Sequence, residues 1–265
     1  MQRRETRRQQ EKRRRRQWRR RALLGGIATL AVVAAFATLF GLTREDGPSG
    51  PPRAAIIDQV SLTYPNPDFI EKATRTLKES GHTVDYYPGD EVTVDLYRRL
   101  PSLGYDVILF RVHADRIEGT WRGEPIDEVI LFSSEPYDPR KYRDDLSNKR
   151  LTSARYYEGG ERFFGISPDF IDDRMTGDFG GATIFMMGCE GLISERTAQA
   201  FIDKGADTYI SWDETVSASH TDAATERLLD LMLLEGQSAQ EAVAQTMAEI
   251  GPDPTYGSKL GVYEP

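Results

Sequence analysis

The chain has 265 residues, enough for one domain with appendages. Its 34 basic and 42 acidic side chains are segregated: residues 1–21 hold 12 of the basic and two of the acidic ones, leaving 22 and 40 in the remainder, a net of −18. A body that acidic disfavours nucleic acid as a partner, and a single cysteine excludes an internal disulfide.

The basic arm, residues 1–21, runs into 21 uncharged residues, 22–42. That length spans a bilayer as one helix. Basic residues on the N-terminal flank hold that flank in the cytoplasm. The expectation is a single-pass protein of the cell membrane with its C-terminal body outside the cytoplasm. Ala35-Phe36-Ala37 is a small-x-small pattern that a cleaved signal would carry. The apolar run continues past it, which favours an uncleaved anchor. Residues 43–53 (TREDGPSGPPR) read as a Pro/Gly linker, and residues 54–265 as the folded body.

Within the body, Ala54 to Asp58 reads as a buried strand. Asn66-Pro67 opens a helix, with Asn as N-cap and Pro at the first position. Phe69, Ile70, Ala73 and Leu77 share one face, and Gly81 closes it. Thr83 to Tyr87 predicts a second strand, Asp90 to Leu100 a short helix, and Tyr105 to His113 a third strand. This alternation predicts an α/β fold, a mainly parallel sheet flanked by helices. Residues 115–180 break the rhythm and read as an inserted antiparallel flap. Its strands are expected at Glu128–Phe132 and in a hairpin of Arg155–Tyr157 with Phe163-Phe164 around Glu158-Gly159-Gly160. Arg140 to Arg150 reads as too charged to be buried, and Pro168 to Met175 as a short helix. Regularity resumes with strand 182–187, helix 195–204 capped by Ser194, strand 207–212, and helices 218–235 and 239–249.

Two apolar strands end in chemistry-bearing residues. One delivers His113; the other, Thr183 to Met187, runs into Gly188-Cys189-Glu190-Gly191. Active groups in open α/β sheets gather beyond the carboxyl ends of strands. A thiol and an imidazole on one such rim make a nucleophile with its proton acceptor. Gly188 and Gly191 would let backbone N–H groups approach an oxyanion. Each residue also has an ordinary structural reading, Cys189 as a small core residue and His113 as a hydrogen-bonded one. No His/Cys/carboxylate cluster has metal-ligand spacing, and no Gly-rich phosphate motif is present. No metal and no cofactor are therefore expected.

The order strand–His113, strand–Gly188-Cys189-Glu190-Gly191, helix–Lys204-Gly205-Ala206-Asp207, strand–Ser211-Trp212-Asp213 resembles the caspase-like cysteine peptidases of clan CD. It is most similar to CHAT and gingipain-type domains from Thr183 to about Met247. The resemblance implies Cys189 as nucleophile, His113 as proton partner, and a peptide or protein substrate. The family usually has Gly after the His, where the backbone N–H helps hold the oxyanion; this chain has Ala114. The family's basic-residue cleavers carry a carboxylate in the specificity pocket, a place open to Asp213, Glu214 or Asp58. Trp212 would wall the pocket or belong to the core, and Asp115 would orient His113 or cap a turn. Two other readings stand beside this one. A catalytically inactive caspase-like domain would bind or sense a partner. An amidotransferase-like hydrolase would pair Cys189 with His220, but position 187 is Met rather than the expected Gly, and a loop separates Cys189 from the next helix.

Overall fold

The computed structural model describes residues 50–263. The basic arm and the apolar segment 22–42 lie outside them, and among the described residues no helix is long and apolar enough to cross a membrane. The body is an α/β fold built on a six-stranded sheet, ordered β10-β9-β8-β3-β1-β2. These strands are β1 (Arg53–Asp58), β2 (Thr83–Pro88), β3 (Val107–Arg111), β8 (Thr183–Met186), β9 (Thr208–Trp212) and β10 (Leu260–Tyr263). Five run parallel, and β10 closes one edge antiparallel to β9. Strand β1 begins at Arg53, so the expected linker ends one residue earlier.

Alternation along the strands feeds two cores. Ala54, Ile56, Val107, Leu109 and Phe185 pack on one face with Phe69, Ala73 and Leu77 of α1 (Pro67–Glu79). The same face receives Leu228 and Leu229 of α6 (Ala218–Leu229), and Ala242 and Val243 of α7 (Ala239–Glu249). Ala55, Ile57, Ile108, Phe110 and Ile184 turn to the other face. They meet α2 (Val94–Arg99), α4 (Pro168–Arg174) and α5 (Glu195–Asp203) there. Local chemistry sets the helix starts. Asn66 accepts from Phe69 N, Ser167 from Phe170 N and Ser194 from Arg196 N. Ser238 and Glu241 complete a capping box on α7. Instead of continuing as α-helix to 235, α6 passes into a π-helical turn at Asp230–Leu234.

The insert is a separate antiparallel sheet, ordered β4-β5-β7-β6. Strands β4 (Ala114–Trp121) and β5 (Glu124–Pro136) are joined by Arg122-Gly123, both at positive φ, as a two-residue hairpin turn requires. The second hairpin differs from expectation. Strand β6 is Leu151–Ala154, paired with β7 (Phe163–Ile166), and residues 155–162 form the connection. Tyr156 therefore leaves the ladder and packs beside Phe132 and Phe163. The antiparallel sheet ends at Ile166, and α4 already packs against α5 in the main helix layer. The charged stretch 140–150 is also partly interior. Asp145, on α3 (Arg143–Ser147), is buried because Arg174 Nε donates to it at 2.5 Å, with Arg98 and Arg150 close by.

Candidate functional site

Strands β3 and β8 are paired in parallel register with Phe110 opposite Met186, and Met187 N donates to Phe110 O at 2.9 Å. His113 and Cys189 stand at the same offset of 76 positions, and both follow the carboxyl ends of these paired central strands. Gly188 permits the approach. A Cβ there would lie 2.6 Å from Val112 O and 3.1 Å from the Ala114 Cβ. Gly191 answers to packing too: a Cβ would land on the Ser211 hydroxyl and 2.8 Å from its Cβ. Between them Glu190 holds a left-handed φ of 62°, a strained value for a residue with a side chain. Its N–H donates to Glu214 O at 3.0 Å, and its carboxylate accepts Arg116 N at 3.2 Å and the Thr215 hydroxyl at 3.5 Å. The turn after Cys189 is thereby tied to the first strand of the insert.

The two residues line one cleft of about 790 Å³, walled also by Thr63, Tyr64, Tyr156, Val216 and Tyr256. His113 is fixed from three sides. Its N–H donates to Gln59 Oε1 at 3.0 Å, its C=O accepts from Phe132 N at 2.9 Å, and its Nε2 meets the Thr63 hydroxyl at 2.8 Å. That hydroxyl also donates to Val60 O at 3.2 Å. Satisfying both contacts assigns the imidazole proton to Nε2 and leaves Nδ1 as acceptor, without a partner among the described residues. Burial, with the Arg111 charge nearby, lowers the imidazole pKa to about 4. The Cys189 sulfur sits 3.7 Å from Val216 O. Burial and the carboxylates of Glu190 and Asp115 push its pKa up, against the hydrogen bond to Val216. At neutral pH the pair is thiol and neutral imidazole, not thiolate and imidazolium.

Ala114 follows as the first residue of β4. The His113 C=O accepts from Phe132 N, and the C=O and N–H of a trans peptide point opposite ways, so Ala114 turns its N–H away from β5. Arg116 points its N–H the same way and reaches Glu190. Ala114 has no positive φ, so its position does not need glycine.

No family model matches the chain, and no curated protein matches it.

Beneath the cleft lies a cluster that sequence reasoning missed. Arg111, 2% exposed, donates Nε and one terminal nitrogen to the two oxygens of Asp222 at 2.7 and 2.8 Å. The other terminal nitrogen donates to Asp58 Oδ1 at 2.7 Å, and Tyr64 O accepts a further bond at 2.9 Å. Asn66 donates to Asp222, and Tyr86 to Asp58. The cluster bolts β1, β3 and α6 together. Its one sequence signal was an arginine inside the apolar strand Val-Ile-Leu-Phe-Arg.

The remaining candidates lie elsewhere. Asp58 is enclosed by that cluster. Asp213 and Glu214 are exposed and do not line the cleft; Asp213 accepts from Lys259 N at 2.7 Å. Trp212 is wholly buried beside Val216 and donates to the Thr221 hydroxyl at 2.9 Å, so it backs the Cys189 wall from within the core. Asp115 is exposed, absent from the cleft lining, and makes no bond to His113. His220 packs on Trp212, with Nε2 3.1 Å from Gly251 O, also off the cleft. Among the described residues no group of three or more His, Cys, Asp or Glu side chains is placed to hold a metal ion.

Proposed function

We propose that the body is a caspase-like cysteine peptidase domain, held outside the cytoplasmic membrane by residues 22–42. The observation that carries the reading is that the one thiol and an imidazole, each following the carboxyl end of one of two paired parallel strands, line the same cleft. In this reading the Cys189 proton passes to His113 Nδ1 as sulfur bonds to the scissile carbonyl carbon. The carbonyl electron pair moves to oxygen, which the N–H group of Gly188 meets; Ala114 does not line the cleft. The imidazolium then returns its proton to the leaving amine as the C–N bond breaks, and water hydrolyses the thioester. The neutral resting pair means that proton transfer accompanies attack.

Cleavage of an unfolded protein substrate by the full chain tests the reading. Cys189→Ala and His113→Ala should each lower the rate by about 10²-fold or more. A parent chain that cuts nothing, with Cys189 unlabelled by iodoacetamide in the native state, rejects it. The raised thiol and lowered imidazole favour one second reading, a tethered domain that binds peptide in the same cleft without cutting. Partner binding unchanged in Cys189→Ser, with no cleavage by the parent, would distinguish it.

A further inference from the structure

The cleft that holds His113 and Cys189 has a composition that restricts what it can take. Among the described residues, its only charged lining groups besides the neutral imidazole are Arg111 and Asp222, and these are spent on each other. Both Asp222 oxygens accept from Arg111, one of them from Asn66 as well, and the side chains of Arg111 and Asp222 are 2% and 4% exposed. No carboxylate or guanidinium edge is left to meet a charged ligand. The exposed part of the lining is aromatic and neutral: Tyr64 is 60% and Tyr256 55% exposed, large values for tyrosines in a walled depression. Ser219 adds an exposed hydroxyl, suited to a peptide backbone, while Ser217 is held by Asp253. Asp213 and Glu214, the carboxylates that would select a basic side chain, lie off the cleft, and Asp58 is sealed behind Arg111.

We infer that the cleft accepts an extended peptide whose side chain nearest Cys189 is neutral and apolar or aromatic, and that it discriminates against lysine, arginine, aspartate and glutamate there. The inference rests on the peptide-cleft reading above. The physical reason is asymmetric. An aromatic or aliphatic side chain covers Tyr64 and Tyr256 and gains by burial. A charged one gives up water without finding a partner.

The test separates binding from cutting. The full-length Cys189→Ala chain is titrated with capped pentapeptides Ac-Ala-Ala-Xaa-Ala-Ala-amide, with Xaa as Phe, Leu, Lys or Asp. The expected result is binding of the Phe and Leu peptides at least tenfold tighter than the Lys and Asp peptides. Tyr64→Ala with Tyr256→Ala should weaken the Phe peptide severalfold and narrow its lead over the Lys peptide. Equal or tighter binding of the Lys or Asp peptide overturns the inference, and so does the absence of binding by all four. The same peptides given to the parent chain report on hydrolysis separately. Neutral peptides that bind but are not cut remove the peptidase and leave the inference standing. Cleavage after Lys with none after Phe does the reverse.

Discussion

The protonation of His113 is a stability term with a definite sign. Burial and Arg111 lower its pKa from 6.5 to about 4 in the folded chain. In the unfolded chain the ring keeps its ordinary value. Between those two values the unfolded chain binds a proton that the folded chain resists. The contribution of the neutral ring is therefore complete above pH 6.5 and drains away as pH falls towards 4. At about pH 5 the two values imply a loss of about 2 kcal/mol. That figure is a ceiling, because the ring is part-exposed and water screens some of the cost. His113→Gln keeps a side chain of similar size and removes the titration. Urea unfolding of both full chains at about pH 7 and pH 5 isolates the term, since every carboxylate titrates in both. The substituted chain should lose up to about 2 kcal/mol less between the two conditions. Parallel losses would refute the buried, neutral imidazole on which the proton-transfer step depends.

Two further substitutions test the frame around the cleft. Arg111→Met leaves Asp58 and Asp222 buried without their cation and should cost about 3–5 kcal/mol, about 10 °C or more in Tm by thermal denaturation. Adding Asp222→Asn should recover part of the loss, and a shift of less than about 2 °C for Arg111→Met alone would deny the cluster its structural role. Gly191→Ala drives a methyl into Ser211 and should cost about 1–3 kcal/mol. Ser211→Gly in the same chain should return part of it, and no rescue would mean that the turn itself, not this contact, requires glycine.

Much of the frame was legible because its signals are local. The Asn66-Pro67 start, the Ser194 cap and the apolar runs of β1, β3 and β8 each lie within a few residues of one another. Strand β4 was not legible, since Ala-Asp-Arg-Ile-Glu-Gly-Thr-Trp contains one aliphatic residue beyond its alanine. Tyr156 and Tyr157 looked like strand because aromatics favour sheets, yet Tyr156 is spent on His113, with ring centroids 4.7 Å apart. Strand β10 followed a Gly/Pro-rich stretch and had too few residues to show a period.

The larger miss was the partnership of Arg111 with Asp58 and Asp222, which lie 53 and 111 positions away in the chain. No periodicity within a window links such residues; only the packing of β1, β3 and α6 brings them together. Its consequences reach the site in two ways. Asp58 and Asp222 are consumed in holding one cation, so among the described residues no free carboxylate lines the cleft. The same cation stands close enough to His113 to help keep it uncharged. One arginine in an otherwise apolar strand thus ties up two carboxylates and adds to the burial that keeps the His113 ring neutral. Asp213 and Glu214, which the strand-end position made attractive as specificity groups, take no part in either.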